Sequence, residues 1–142
     1  MELNRKNISS LILDKLKENK DYLKQEFNKP SQINSCYLDD LLPKNIVTEV
    51  YDAFPSPDEM DNHKSLRENK KIAAQMNLHN PILEEIVFAF QDVRIIEIVE
   101  EITGLKEMVP DDKLYAGGIS LMAKGNFLNP HLDNSHDNDR EN

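Results

Sequence analysis

A chain of 142 residues provides for one domain with a modest core, and its 39% apolar and 30% charged residues are ordinary for a globular protein. A net charge of −9 leaves too few cations to neutralise a phosphate backbone or to hold an anionic bilayer, so no nucleic-acid and no membrane partner is expected. The single cysteine, Cys36, excludes an internal disulfide, and one thiol does not make a zinc site. The early apolar run Leu11-Ile-Leu13 is cut by Asp14, short of the roughly 7–15 residues of a secretory core. No run approaches the roughly 18 apolar residues of a membrane span, and the expected compartment is the cytoplasm.

In chain order, Ser9 or Ser10 is placed to cap a first helix. Ile8, Leu11, Ile12, Leu16, Leu23 and Phe27 fall near one of its faces, and Asn28-Lys-Pro30 ends it. This face packs on its own domain or serves a partner as an amphipathic helix. Residues 31–43 are irregular. Asp39-Asp40 precedes a second helix that runs to about Phe54, carried by Ile46, Val47, Val50 and Tyr51; the acid pair suits a helix start better than a metal.

Pro55-Ser-Pro-Asp-Glu59 combines a capping serine, an N-terminal proline and a glutamate three residues beyond the cap. Ser65-Leu-Arg-Glu68 repeats that spacing and is expected to open another helix, with His63 a solvated side chain. After the break at His79-Asn-Pro81 a helix is expected through Ile82, Leu83, Ile86, Val87 and Phe90. Asp92 then starts another through Ile95, Ile96, Val99 and Ile102, which Gly104 ends in the left-handed conformation. This most apolar part of the chain reads as a helical layer backing a sheet, because sustained heptads for a dimer seam are missing. Lys106 to Lys113 marks the change to strand patterning.

Two apolar segments, Leu114 to Met122 and Phe127-Leu128, flank glycines at 117, 118 and 125, where a strand pair would bend. Asn129-Pro130 interrupts ladder pairing just before His131-Leu132-Asp133. On an extended strand, residues two apart share a face, so the imidazole of His131 and the carboxylate of Asp133 can reach one cation. Two histidines and one carboxylate are the ligand set of non-haem Fe(II) oxygenases.

Met122-Ala-Lys-Gly125-Asn-Phe-Leu128-Asn-Pro-His131-Leu-Asp133 resembles the metal strand of the 2-oxoglutarate and Fe(II)-dependent dioxygenases of the prolyl 4-hydroxylase-like type, Tyr-x-x-Gly-x-x-Leu-x-x-His-x-Asp. Gly, Leu, His and Asp stand at matching spacings. Met122 replaces a tyrosine that can hydrogen-bond the cosubstrate. Ile102-Thr-Gly104-Leu and Leu114-Tyr-Ala-Gly-Gly118 look like the family's lead-in.

The resemblance implies an α+β protein, with an N-terminal helical layer followed by the first strands of a double-stranded β-helix, or jelly roll, of about eight strands. It implies a single domain over 1–142, with 1–105 as helical support and 113–137 as the first metal-site strands. It implies Fe(II) held by His131 and Asp133, 2-oxoglutarate as cosubstrate, ascorbate as accessory, and hydroxylation of a small molecule, a glycan or a peptide side chain. The family's distal histidine, and a basic residue roughly ten positions beyond it, lie on later strands. Nine residues follow Asp133, among them His136 and Arg140, so the expectation is a fragment with an incomplete barrel, inactive in isolation. Asn129, Asn134 and Ser135 are neighbours that could support the ligands. Two other readings stay open: a non-catalytic helical interaction module, and a cupin-like metal-binding protein using His131, Asp133 and His136.

Overall fold

The structure, a computed structural model, describes residues 3–30, 32–114 and 118–131. The protein is α+β, and its described strands form one four-stranded antiparallel sheet. The chain divides into two units, a helical one from residues up to Phe54 with Ala74–Gly118, and a sheet unit from Pro55–Ala73 with the residues from Ile119 onward. No helix among the described residues is long and apolar enough to cross a membrane.

The helical unit is built on α1 (Arg5–Phe27), which packs against α3 (Pro81–Ala89) and α4 (Val93–Thr103). Ile8, Ile12, Leu13 and Leu23 of α1 are buried, as are Ile82, Leu83 and Ala89 of α3 and Ile95, Ile98 and Ile102 of α4. Ile8 and Ile12 are completely shielded from water, which stabilises the unit by about 2 kcal/mol each. At the rim, Arg5 reaches Glu85 at 2.7 Å and lies 5.0 Å over the Phe88 ring. Lys20 meets Glu101 at 2.8 Å.

The cap of α1 is Asn4, whose side chain accepts the Asn7 N–H at 3.0 Å, and not Ser9 or Ser10. Those two serines lie inside the helix and donate to the Lys6 carbonyl at 3.0 and 2.9 Å, a bond that satisfies a helical serine without ending the helix. Ser9 is buried and also accepts from Arg94 Nη2 at 3.1 Å. The end at Asn28 agrees with the sequence reading.

The second helix, α2 (Lys44–Asp52), starts behind Pro43 and has no side-chain cap. Asp39 and Asp40 therefore do not cap it; Asp40 takes a left-handed conformation (φ 53°), which Asp tolerates better than most residues. Only Ile46 of its expected apolar face is buried, while Val47 and Tyr51 stay exposed. The later helices follow expectation closely. Asn80 caps α3 in front of Pro81, Asp92 caps α4 by accepting the Arg94 N–H at 3.0 Å, and Gly104 closes α4 with φ 79°.

In the sheet unit, residues expected to continue the helical support form a hairpin instead. Strands β1 (Asp61–Lys64) and β2 (Glu68–Ala73) pair antiparallel from Asp61↔Ile72 to Lys64↔Asn69. Ser65 Oγ does accept the Arg67 and Glu68 N–H groups, at 3.1 and 3.2 Å, but these bonds close a turn and open no helix. A serine accepting from two and three residues ahead serves either structure. The residues after it, Glu-Asn-Lys-Lys-Ile-Ala, have no helical apolar stripe to extend it.

β3 (Ile119–Leu121) and β4 (Phe127–Leu128) both pair with the same side of β2, through Ala73↔Ile119, Lys71↔Leu121, Asn69↔Phe127 and Glu68↔Leu128. They are two pieces of one strand path, with residues 122–126 extruded opposite Lys70. The extrusion closes on itself. Asn126 N–H donates to the Ala123 carbonyl at 3.0 Å, the Ala123 N–H donates to Asn126 Oδ1 at 2.8 Å, and Gly125 supplies φ 89°. Leu114, expected to begin the strand, precedes it in a left-handed conformation (φ 51°) that no ladder accepts.

Candidate functional site

The chemistry-bearing end of the sheet begins where β4 stops. Asn129 ties this strand exit to the β1–β2 turn twice, its N–H donating to the Arg67 carbonyl at 2.8 Å and its Nδ2 to the Leu66 carbonyl at 3.0 Å. Pro130 follows, with no N–H for a ladder and with φ held near −65° by its ring. His131 thus stands three residues past the last ladder residue, exposed, rather than within a strand as expected.

The ring of His131 is nevertheless held. Its Nδ1 lies 2.8 Å from the Asn129 carbonyl oxygen. A carbonyl can only accept, so Nδ1 carries the proton, and in the neutral ring the lone pair belongs to Nε2. An imidazole bonded to a backbone carbonyl through one nitrogen is the usual arrangement of a metal-binding histidine, since the second bond fixes the tautomer and raises ligand basicity. His131 therefore fits a nitrogen ligand to Fe(II).

Asp133, together with Asn134, Ser135, His136 and Arg140, lies outside the described residues. Among the described residues no three His, Cys, Asp or Glu side chains converge on a common point, and His131 is the one expected ligand they include. Met122 and Gly125, the first two positions of the resemblance, belong to the extruded segment. Met122 is exposed there.

A second polar cluster lies on the same sheet and was not legible as such. Glu68, opposite Leu128 in the ladder, is 6% exposed. Its Oε2 accepts from Lys70 Nζ at 2.7 Å, and its Oε1 lies 3.0 Å from His63 Nε2. The Lys70 ammonium holds the Glu68 carboxyl below its ordinary range against the opposing effect of burial. A carboxylate kept ionised and doubly paired is suited to anchoring strands, not to proton transfer near neutrality. His63, expected as a plain solvated residue, is its half-exposed partner. The sequence signal was the spacing Glu68-x-Lys70, which puts both on one face once β2 is known to be a strand.

The helical unit offers ion pairs of a structural kind. Asp92 bonds Arg94 Nε and Nη2 at 2.8 and 2.7 Å, and these bonds push its carboxyl far below the usual range. Cys36 is exposed. The carbonyls of Leu66 and Arg67, which position the strand exit, had no signal in the sequence, because backbone atoms sixty-three and sixty-two residues away are invisible to motif spacing. No family model, no curated protein and no solved structure matches the chain.

Proposed function

We propose that this chain carries the His-x-Asp half of the metal site of an Fe(II) and 2-oxoglutarate-dependent oxygenase of the hydroxylase type, with His131 and Asp133 as ligands. The observation that carries the reading is the bond from His131 Nδ1 to the Asn129 carbonyl, which presents Nε2 as the ligand nitrogen at a strand exit. The spacing Gly125, Leu128, His131, Asp133 supports it, as does an antiparallel sheet that suits the opening strands of a jelly roll. A second histidine completes the ligand set, on a later strand of such a barrel or, in the cupin-like arrangement, at His136.

Bound Fe(II) would supply O₂ activation coupled to oxidative decarboxylation of 2-oxoglutarate, with ascorbate as accessory reductant, and so hydroxylate an unactivated C–H bond. The residues of this chain hold the ion and keep the imidazole in one tautomer. Met122 places a thioether where a phenol could bond the cosubstrate, so cosubstrate contacts come from other groups. The substrate class is a small molecule, a glycan or a peptide side chain, and the lone exposed thiol of Cys36 suits the reducing cytoplasm.

A non-catalytic interaction module is the second reading, favoured by Val47 and Tyr51, which leave α2 with apolar side chains exposed at i, i+4 spacing. Anaerobic Co(II) titration of the 142-residue chain separates the two. The oxygenase reading expects binding that His131→Ala and Asp133→Ala each abolish, and that His136→Ala abolishes only in the cupin-like arrangement. If His136 is not a ligand, the chain binds metal through two side chains and forms no succinate. Absence of Co(II) binding, or binding indifferent to residues 131 and 133, leaves the interaction module.

A further inference from the structure

We infer that Asn129 is a positioning residue for the metal, setting the tautomer of His131 so that the ion is taken through Nε2. The inference rests on the reading of His131 as a ligand, but its first prediction concerns the metal-free protein. A freely solvated neutral imidazole prefers its proton on Nε2, the nitrogen that must be deprotonated here. The Asn129 carbonyl, 2.8 Å from Nδ1, favours the opposite tautomer.

That carbonyl is held in place by three constraints. The Asn129 N–H is bound to the Arg67 carbonyl at 2.8 Å, and its side-chain Nδ2 to the Leu66 carbonyl at 3.0 Å. Pro130 removes most of the backbone freedom between carbonyl and ring, by fixing its own φ and by steering Asn129 away from the helical region. The amide of Asn129 thus spans from the β1–β2 turn to the ring of a ligand two residues on. Asparagine suits the position because its short amide donates to Leu66 while its main chain donates to Arg67 and accepts from His131. Alanine keeps the main-chain bonds and loses the bond from Nδ2, so the carbonyl gains freedom without being removed.

The test reads the ring nitrogens of His131 by long-range ¹H–¹⁵N correlation in the metal-free chain at about pH 8, where an ordinary imidazole is neutral. The wild-type chain is expected to show the Nδ1–H tautomer. Asn129→Ala is expected to shift His131 toward the Nε2–H form and to weaken Co(II) binding about tenfold, the lower end of the range for groups that orient metal ligands. Asn126→Ala, which breaks only the bond closing the extruded segment, is expected to leave the tautomer unchanged. A wild-type His131 in the Nε2–H form overturns the inference even if the Asn129 variant does not fold. An Asn129→Ala chain with unchanged tautomer and a Co(II) affinity within about twofold of wild type, against that tenfold expectation, also overturns it. Failure of the wild-type chain to bind Co(II), with the Nδ1–H tautomer present and lost in Asn129→Ala, removes the metal reading and leaves the clamp on the ring standing.

Discussion

Replacing Glu68 by alanine tests whether the buried ion cluster anchors the sheet that leads to His131. Glu68 is 6% exposed and accepts from Lys70 at 2.7 Å and from His63 at 3.0 Å. A hydrogen bond to an ionised group contributes about 1.5–3 kcal/mol, but the two partners differ in their access to water. The Lys70 side chain is 25% exposed and loses most of its bond's worth, whereas that of His63 is 46% exposed and turns readily to solvent. The cost is therefore about 2 kcal/mol, below the 3–5 kcal/mol of a fully buried pair left half empty. The readout is amide hydrogen exchange in β2, where a loss of about 2 kcal/mol lowers protection roughly thirtyfold if these amides exchange by opening of the sheet. Glu68→Gln keeps an acceptor for Lys70 and is expected to cost about 1 kcal/mol. The pH dependence has a definite sign. The folded-state pKa of Glu68 is depressed, so its contribution is complete above the ordinary glutamate value of about 4.3 and is lost as pH falls through the lower folded value. The protection gap between wild type and Glu68→Gln should close as pH falls below about 4.3. Equal protection in wild type and Glu68→Ala at neutral pH refutes the anchoring role, and a gap that persists undiminished well below about pH 4 refutes the electrostatic reasoning.

The remaining predictions concern local devices. Asn4→Ala should destabilise the helical unit by about 1 kcal/mol in denaturant unfolding, and Ser10→Ala by less than about 0.5 kcal/mol, because only Asn4 caps α1. Gly125→Ala should cost about 1–2 kcal/mol in the sheet unit, from φ 89° alone, since an added Cβ meets no atom within 4 Å; a neutral outcome by amide exchange would deny the left-handed turn. Asp92→Asn keeps a good cap on α4 but removes the charge paired with half-exposed Arg94, at a cost of about 1 kcal/mol near neutrality. Because the folded-state pKa of Asp92 is depressed, this difference should stay constant down to about pH 4 and shrink below it in urea unfolding followed by circular dichroism.

The sequence by itself determined the features whose partners lie within a few residues. Asn80-Pro81, Asp92 before Val93 and Gly104 after Thr103 mark real helix boundaries, because capping and the left-handed stop are settled inside one turn of chain. Ile95 and Ile102, picked out by the helical period, are buried as expected, whereas Ile98 is buried in place of Ile96 and Val99. Tertiary structure decided wherever one local pattern permitted two outcomes. Ser9 and Ser10 could begin a helix as readily as Asn4, and burial of Ser9 against Arg94 places them inside it. Ser65 makes the same first bonds in a turn as at a helix start. Pairing of β2 with β1 makes it a hairpin, and pairing with β3 and β4 far along the chain holds it as a strand. Residues 122–126 look like the bend of a strand pair, yet Lys71 and Asn69 of β2 draw the flanking segments into one path. The anchoring of the strand exit to the Leu66 and Arg67 carbonyls belongs to this second class, because contacts between distant backbone atoms follow from how the chain folds back and leave no trace in residue spacing.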